Sequence, residues 1–215
     1  MRDEQWYLPP RKWPIPRMAV GISTTPNDTQ TALVLDGHAV YMRGHARLHR
    51  AAAERMILVP IQLEAAQEAT LRDVVETVWL RYERNGIPWG IAYEGTAFQP
   101  DGELVLGRGC TGLTCATFIM ALFSAAGVEL IDTAAWPFRS DPAIMAARIA
   151  RVERVAPEGE RREMLRREVL VSKMYLPEDV AAAASLPRGS SFEEVQARAD
   201  EVRAALRAHV TKRPV

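Results

Sequence analysis

Residues 107–132 read G-R-G-C-T-G-L-T-C-A-T-F-I-M-A-L-F-S-A-A-G-V-E-L-I-D, and they decide the fold. A glycine-rich loop runs into a helix that is apolar on nearly every side. Such a helix belongs in the middle of a domain, covered all round. Thr114 stands where a hydroxyl caps the helix start, and Gly127 stands where a glycine stops it. Residues 128–132, V-E-L-I-D, then read as a short strand. Cys115 falls on the first turn of the helix. Unpaired N–H groups give that end partial positive charge, which favours a thiolate over a thiol. A nucleophilic cysteine needs to be there.

Upstream of this stretch the chain alternates as strands do. Residues 17–24 read as a first strand, T-P-N-D-T-Q as a turn and residues 31–35 as a second strand. Asp36-Gly37 is a hairpin signal that returns through H-A-V-Y-M as a third. Residues 56–62 form a fourth, in which Pro60 argues for an edge or an end. From residue 64 to 84 the period becomes helical, with Leu71, Val74, Val75, Val78, Trp79 and Tyr82 on one stripe, closed by N-G-I-P. Residues 89–98 are irregular or short strand, and 103–106 form a brief strand before the glycine-rich loop. After Trp136 only helices are expected, over 142–155, 158–171, 177–184 and 192–210, their Arg–Glu pairs reading as solvated faces. No repeat or low-complexity tract interrupts this order. The resulting division is an extended N-terminal segment over 1–16 rich in proline and tryptophan, an α+β core over 17–140, and a helical C-terminal extension over 141–215.

Composition narrows the function. The chain has 215 residues, enough for one domain with a sizeable core, and its 27 basic residues are balanced by 27 acidic ones. No overall field draws it to nucleic acid or to an anionic membrane surface. Two cysteines make no disulfide framework and fit a reducing compartment. The N-terminus M-R-D-E-Q-W-Y-L-P-P has no apolar core of a secretory signal, and no run approaches a membrane span. The expected location is the cytoplasm, with export by a signal-independent route left open.

A thiol that attacks an acyl carbon needs an imidazole within hydrogen-bond reach. Three of the four histidines, His38, His45 and His49, crowd into G-H-A-V-Y-M-R-G-H-A-R-L-H around the third strand. A histidine on a strand beside the cysteine helix is one way to build the pair. Trp89 and Tyr93, shortly before the loop, are candidates to wall the cleft. Thr114 and the backbone N–H groups of the helix start are candidates to hold an oxyanion.

The cysteine segment G-L-T-C-A-T-F-I-M-A-L-F resembles the cysteine motif of the NlpC/P60 superfamily. The order histidine first, cysteine later is that of its circularly permuted, papain-like branch. Three pieces together resemble a group of bacterial proteins of that kind: the histidine segment ending H-A-R-L-H, N-G-I-P-W, and G-L-T-C-A-T-F followed by W-P. The resemblance covers about residues 30 to 140. It implies an α+β fold with an antiparallel sheet packed on a central cysteine-bearing helix. It also implies a cysteine hydrolase or acyltransferase acting on an amide, isopeptide or ester bond of a peptide or other acyl substrate. Cys115 is then the nucleophile and His45 the first choice of base, with His49 its nearest rival and His38 third. Thr114 stands where the family commonly has Asp, and Met18 where many permuted members carry the base, so the third catalytic group is unassigned. A catalytically silent binding module on the same fold is the alternative.

Two further patterns compete. Residues 107–112 match G-x-G-x-x-G, with Asp132 twenty residues beyond, the outline of a dinucleotide-binding turn. A Rossmann sheet needs further parallel strands, and none is expected after Asp132, so this oxidoreductase reading ranks below the hydrolase. His45 and His49 would share a face of a helix and could join Cys110 or Cys115 at a metal, but no second ligand pair supports that. The expected set contains no cofactor and no metal. Cys110 is expected to behave as an ordinary loop thiol and Cys115 as an acidified one.

Overall fold

The computed structural model describes residues 16–25, 28–43 and 47–210. The chain is mixed α+β. Strands β1 (Met18–Thr25), β2 (Asp28–Leu35), β3 (His38–Arg43), β4 (Arg47–Ala52) and β5 (Ile57–Pro60) form an antiparallel sheet in the order β4-β3-β2-β1-β5. Helix α1 (Ala65–Tyr82) follows, then a small hairpin of β6 (Ala97–Phe98) and β7 (Leu104–Val105). Helices α2 (Cys115–Ala125), α3 (Pro142–Val155), α4 (Glu160–Val171), α5 (Pro177–Ala184) and α6 (Phe192–Val210) complete the described residues. The expected N-terminal segment lies, apart from Pro16, outside them.

Local chemistry explains most boundaries. Asp36 and Gly37 turn the β2–β3 hairpin with φ of 47° and 83°, the doubly left-handed turn whose twist matches that of the flanking strands. Pro60, which cannot donate to a ladder, ends the edge strand β5. At the start of α2 the Thr114 hydroxyl accepts from the Thr117 N–H at 3.1 Å, and the Thr117 hydroxyl accepts from the Thr114 N–H at 2.8 Å. At its end the Gly127 N–H bonds to the Ser124 carbonyl and the Val128 N–H to the Phe123 carbonyl, with Gly127 at φ 72°. That is a Schellman stop, satisfying carbonyls the helix leaves unpaired.

Every residue of α2 from Ala116 to Phe123 is buried. The helix packs on β2, β3, α1 and α5, in one core with Val20, Ile22, Leu33, Val40, Met42 and Leu48 from the near face of the sheet. Ala19, Ala32, Val34, Ala39, Met56 and Leu58 form a separate cluster on the opposite face, with Tyr41 against it. The alanine-rich α5 lies on β1, β2 and β5 beside α2, so the helical residues after 140 share the main core. Helices α3 and α4 pair with each other and close a third cluster, through Val152, Leu165 and Val169, on Ile91.

Three expectations change. Residues 47–52 are a strand that the sequence conceals, because this edge strand buries only Leu48 and exposes most of the rest. Strand β2 begins at Asp28, inside the expected turn T-P-N-D-T-Q. Residues 128–132 form no strand: Val128, Leu130 and Ile131 are buried, but no strand pairs with them.

Candidate functional site

The site begins where two strands part. Strand β3 pairs with β2 only through Leu33–Val40, Val34–Ala39 and Leu35–His38. Beyond Val40 they diverge, and residues 28–30 of β2 face a cavity of about 390 Å³. Asp28, Thr29, Gln30 and Met42 line it from the sheet, Trp89 from the strap before β6, and Thr114 and Cys115 from the start of α2. Arg148, Arg151 and Arg154 of α3 form the remaining wall, with Ala147 and Pro177.

Cys115 is partly exposed, on the first turn of α2. Its Sγ lies 3.9 Å from the Thr29 carbonyl oxygen, to which the thiol can donate weakly. Burial pushes this thiol up from its ordinary value, opposed by a hydrogen bond from the Thr31 backbone and by the Arg148 charge. Among the described residues, the Cys115 and Ala116 N–H groups have no hydrogen-bond partner, so the helix start holds two donors beside the sulfur.

The histidines separate. His38 is exposed at the start of β3, on the near face but beside Arg50, Arg72 and Glu76. Four strand steps, about 13 Å, divide it from Met42 at the cavity. His49 sits opposite Tyr41 in the β3–β4 register and stacks on it with ring centroids 5.5 Å apart. Tyr41 packs on the far cluster, so His49 lies on the face of the sheet away from α2. Its imidazole is pushed down, first by burial and then by Arg43 and Arg47. Neither His38 nor His49 lines the cavity at Cys115. His45 lies outside the described residues. His49 also leaves the metal reading, since the segment from residue 47 is a strand and an i, i+4 spacing on a strand is not one helical face.

Thr114 and Trp89 line the cavity. Tyr93 does not. Its side chain is buried elsewhere, packs edge-on against Tyr175 at 5.7 Å and bonds to Ser124, and burial pushes its hydroxyl up to about 12. It is part of the core.

Two of the three glycines of the 107–112 match serve chain crossing, while a Cβ on Gly109 would meet nothing within 4 Å. A Cβ on Gly107 would lie 1.8 Å from the Glu94 carbonyl oxygen, and one on Gly112 2.0 Å from that of Pro88. The space a pyrophosphate would need is filled by the strap 88–95. The strand before the loop is two residues of an antiparallel hairpin. This geometry speaks against the dinucleotide reading. Cys110 is held to the same strap, donating to the Glu94 carbonyl at 3.5 Å, and burial raises its thiol too. Neither cysteine is the acidified one expected of Cys115.

The wall that sequence reading missed is α3. Arg151 pairs with Asp28 at 3.0 Å. Arg148 is half-buried, and no described residue hydrogen-bonds or ion-pairs with it. Burial pulls its guanidinium down, while Cys115, Glu178 and Asp28 hold it up. The signal was available: at three and four residues from Arg148 and Arg151 stand Ile144, Met145, Ala147, Val152, Val155 or another arginine, never an acid. On α4, by contrast, Arg162 pairs with Glu158 and Arg166 with Glu163.

Comparisons of the chain with protein-family models, with curated proteins and with solved structures gave no match. Among the described residues no helix is long and apolar enough to cross a membrane.

Proposed function

We propose that the protein is a cysteine hydrolase or acyltransferase of the permuted NlpC/P60, papain-like kind. It would act on an amide, isopeptide or ester bond, with Cys115 as nucleophile and His45 as base. The observation that carries this reading is the position of Cys115: on the capped first turn of a buried helix, opening into a polar cavity, with two backbone donors beside it. The antiparallel sheet packed on that helix agrees with the resemblance in the sequence.

In the proposed reaction His45 takes the thiol proton as Sγ attacks the acyl carbon. The carbonyl π electrons move to oxygen, held by the Cys115 and Ala116 N–H groups. As the tetrahedral intermediate collapses, the C–N or C–O bond breaks and His45 returns the proton to the leaving amine or alcohol, leaving a thioester. Water then gives a proton to His45 and its oxygen attacks the thioester. The C–S bond breaks and the thiol is re-formed. Because burial disfavours the free thiolate, proton removal concerted with attack suits this thiol better than a standing ion pair.

A second reading is a binding module without catalysis, favoured by the raised thiol and by the removal of His38 and His49 from the site. A generic acyl donor separates the two. With p-nitrophenyl acetate, the hydrolase gives a burst of p-nitrophenolate and an acetyl group on Cys115, seen by intact mass in a Cys110→Ala background. Cys115→Ala abolishes the burst and His45→Gln slows it. An unacetylated Cys115, or acetylation indifferent to His45, establishes the binding module instead.

A further inference from the structure

We propose that the arginine row of α3 is an anion subsite, and that the molecule acted on at Cys115 carries its own carboxylate or phosphate a short distance from the reacting carbon. The identification of that molecule as the substrate rests on the thiol hydrolase reading; the anion site does not.

Three guanidinium groups and a single carboxylate line the cavity, and that carboxylate, Asp28, is engaged by Arg151. Glu178, the other acid near Arg148, has its carboxyl raised by burial. Arg148 is a half-buried cation that no described residue hydrogen-bonds or ion-pairs with, an arrangement that an incoming anion relieves. The guanidinium fork presents paired donors suited to the two oxygens of a carboxylate or phosphate.

Geometry limits the ligand. Arg148, Arg151 and Arg154 succeed one another on one face of α3, a row about 9 Å long by the helical rise. The row starts at Arg148, which feels the Cys115 charge, and ends at exposed Arg154. The row itself spans about three residues of extended chain, which sets the scale of the separation between the reacting carbon and the anion. A cavity of about 390 Å³ takes a small molecule or a chain end rather than the middle of a folded protein. Trp89, Met42 and Pro177 give that ligand an apolar wall. The substrate class is a small acyl compound or short peptide with an anionic end.

The test uses two alkylating reagents that differ in charge, iodoacetate and neutral iodoacetamide, on full-length Cys110→Ala and Cys115→Ala proteins, each carrying one thiol. The ratio of iodoacetate to iodoacetamide rates is expected to be about tenfold higher at Cys115 than at Cys110 in low salt, and to fall in high salt. Arg148→Met should remove the preference and Arg148→Lys should keep part of it. Arg154→Gln, at an exposed position, should reduce it several-fold without affecting folding. Glutarate and inorganic phosphate are then tested as protectants of Cys115 against iodoacetamide, and the better of the two names the anion. Equal ratios at the two thiols, insensitivity to salt and to Arg154→Gln, or protection by neither anion would overturn the subsite. A retained iodoacetate preference without acetyl transfer from p-nitrophenyl acetate sinks the hydrolase alone.

Discussion

Replacing Glu168 by alanine tests how the cavity wall is held. This residue of α4 is 3% exposed, and its Oε2 accepts from the N–H groups of Ile91 at 2.6 Å and Ala92 at 3.1 Å. The strap they belong to carries Trp89 into the cavity, and the Arg161 guanidinium donates to the Trp89 carbonyl at 3.2 Å as a second tie from the same helix. Hydrogen bonds to a charged group each contribute about 1.5–3 kcal/mol, and truncation leaves two buried donors unmatched. Partial relaxation of the strap toward water reduces the sum, so Glu168→Ala should cost roughly 3–5 kcal/mol. For a chain of this size that lowers Tm by about 6–20 °C. Glu168→Gln keeps the volume and one acceptor oxygen and should cost about 1 kcal/mol. Urea denaturation of the three proteins measures both figures, and iodoacetamide labelling of Cys115 in native buffer should accelerate in the alanine variant as the Trp89 wall loosens. An alanine variant within about 0.5 kcal/mol of the parent would refute the strap as the element Glu168 secures.

The pH dependence of alkylation follows from burial of both thiols: with each pKa raised, the thiolate fraction is small at neutral pH and grows with pH. Iodoacetamide rates at Cys110 and Cys115 should therefore still be climbing above about pH 8.5, the ordinary thiol value, and a plateau at Cys115 by pH 7 would contradict the burial argument. Thr114→Ala removes the cap of α2 and should cost about 1–2 kcal/mol in chemical denaturation, with Thr114→Ser largely restoring it. Gly112→Ala sets a Cβ against the Pro88 carbonyl, so loss of soluble protein or a large fall in Tm is expected, and an unchanged Tm would show that the strap yields freely. Phe118→Ala empties a fully buried position between α2 and Phe98 and should cost about 3–5 kcal/mol by the same denaturation assay.

What the sequence disclosed and what it hid divide along physical lines. Helix α2 was legible because its capping threonine, apolar run and terminal glycine act within a few residues of one another. The Asp36-Gly37 turn and the helices from Pro142 onward were legible for the same reason. The site was not local. Its wall joins residues from Thr24 to Pro177, and neither the parting of β2 from β3 nor the approach of α3 leaves a periodic trace. His49 looked like a neighbour of the cysteine because sequence spacing does not say which face of a sheet a residue occupies. One position of register decides it. The G-x-G-x-x-G match misled because close backbone approach requires glycine whether the approaching group is a phosphate or, as here, another stretch of the chain.

The spread of the cavity wall along the chain also sets a timetable. During synthesis Cys115 is added before any residue of α3, and Pro177 only after all of α4. At about 5–20 residues per second the thiol waits several seconds for its arginines. A nascent chain stalled before residue 142 carries Cys115 but none of the three arginines that line its cavity. Closure across so many residues is also slow, because the entropy of a long loop must be overcome before its contacts form. The arginine wall is thus the last side of this cavity to be made, and the first to go if the C-terminal third comes away.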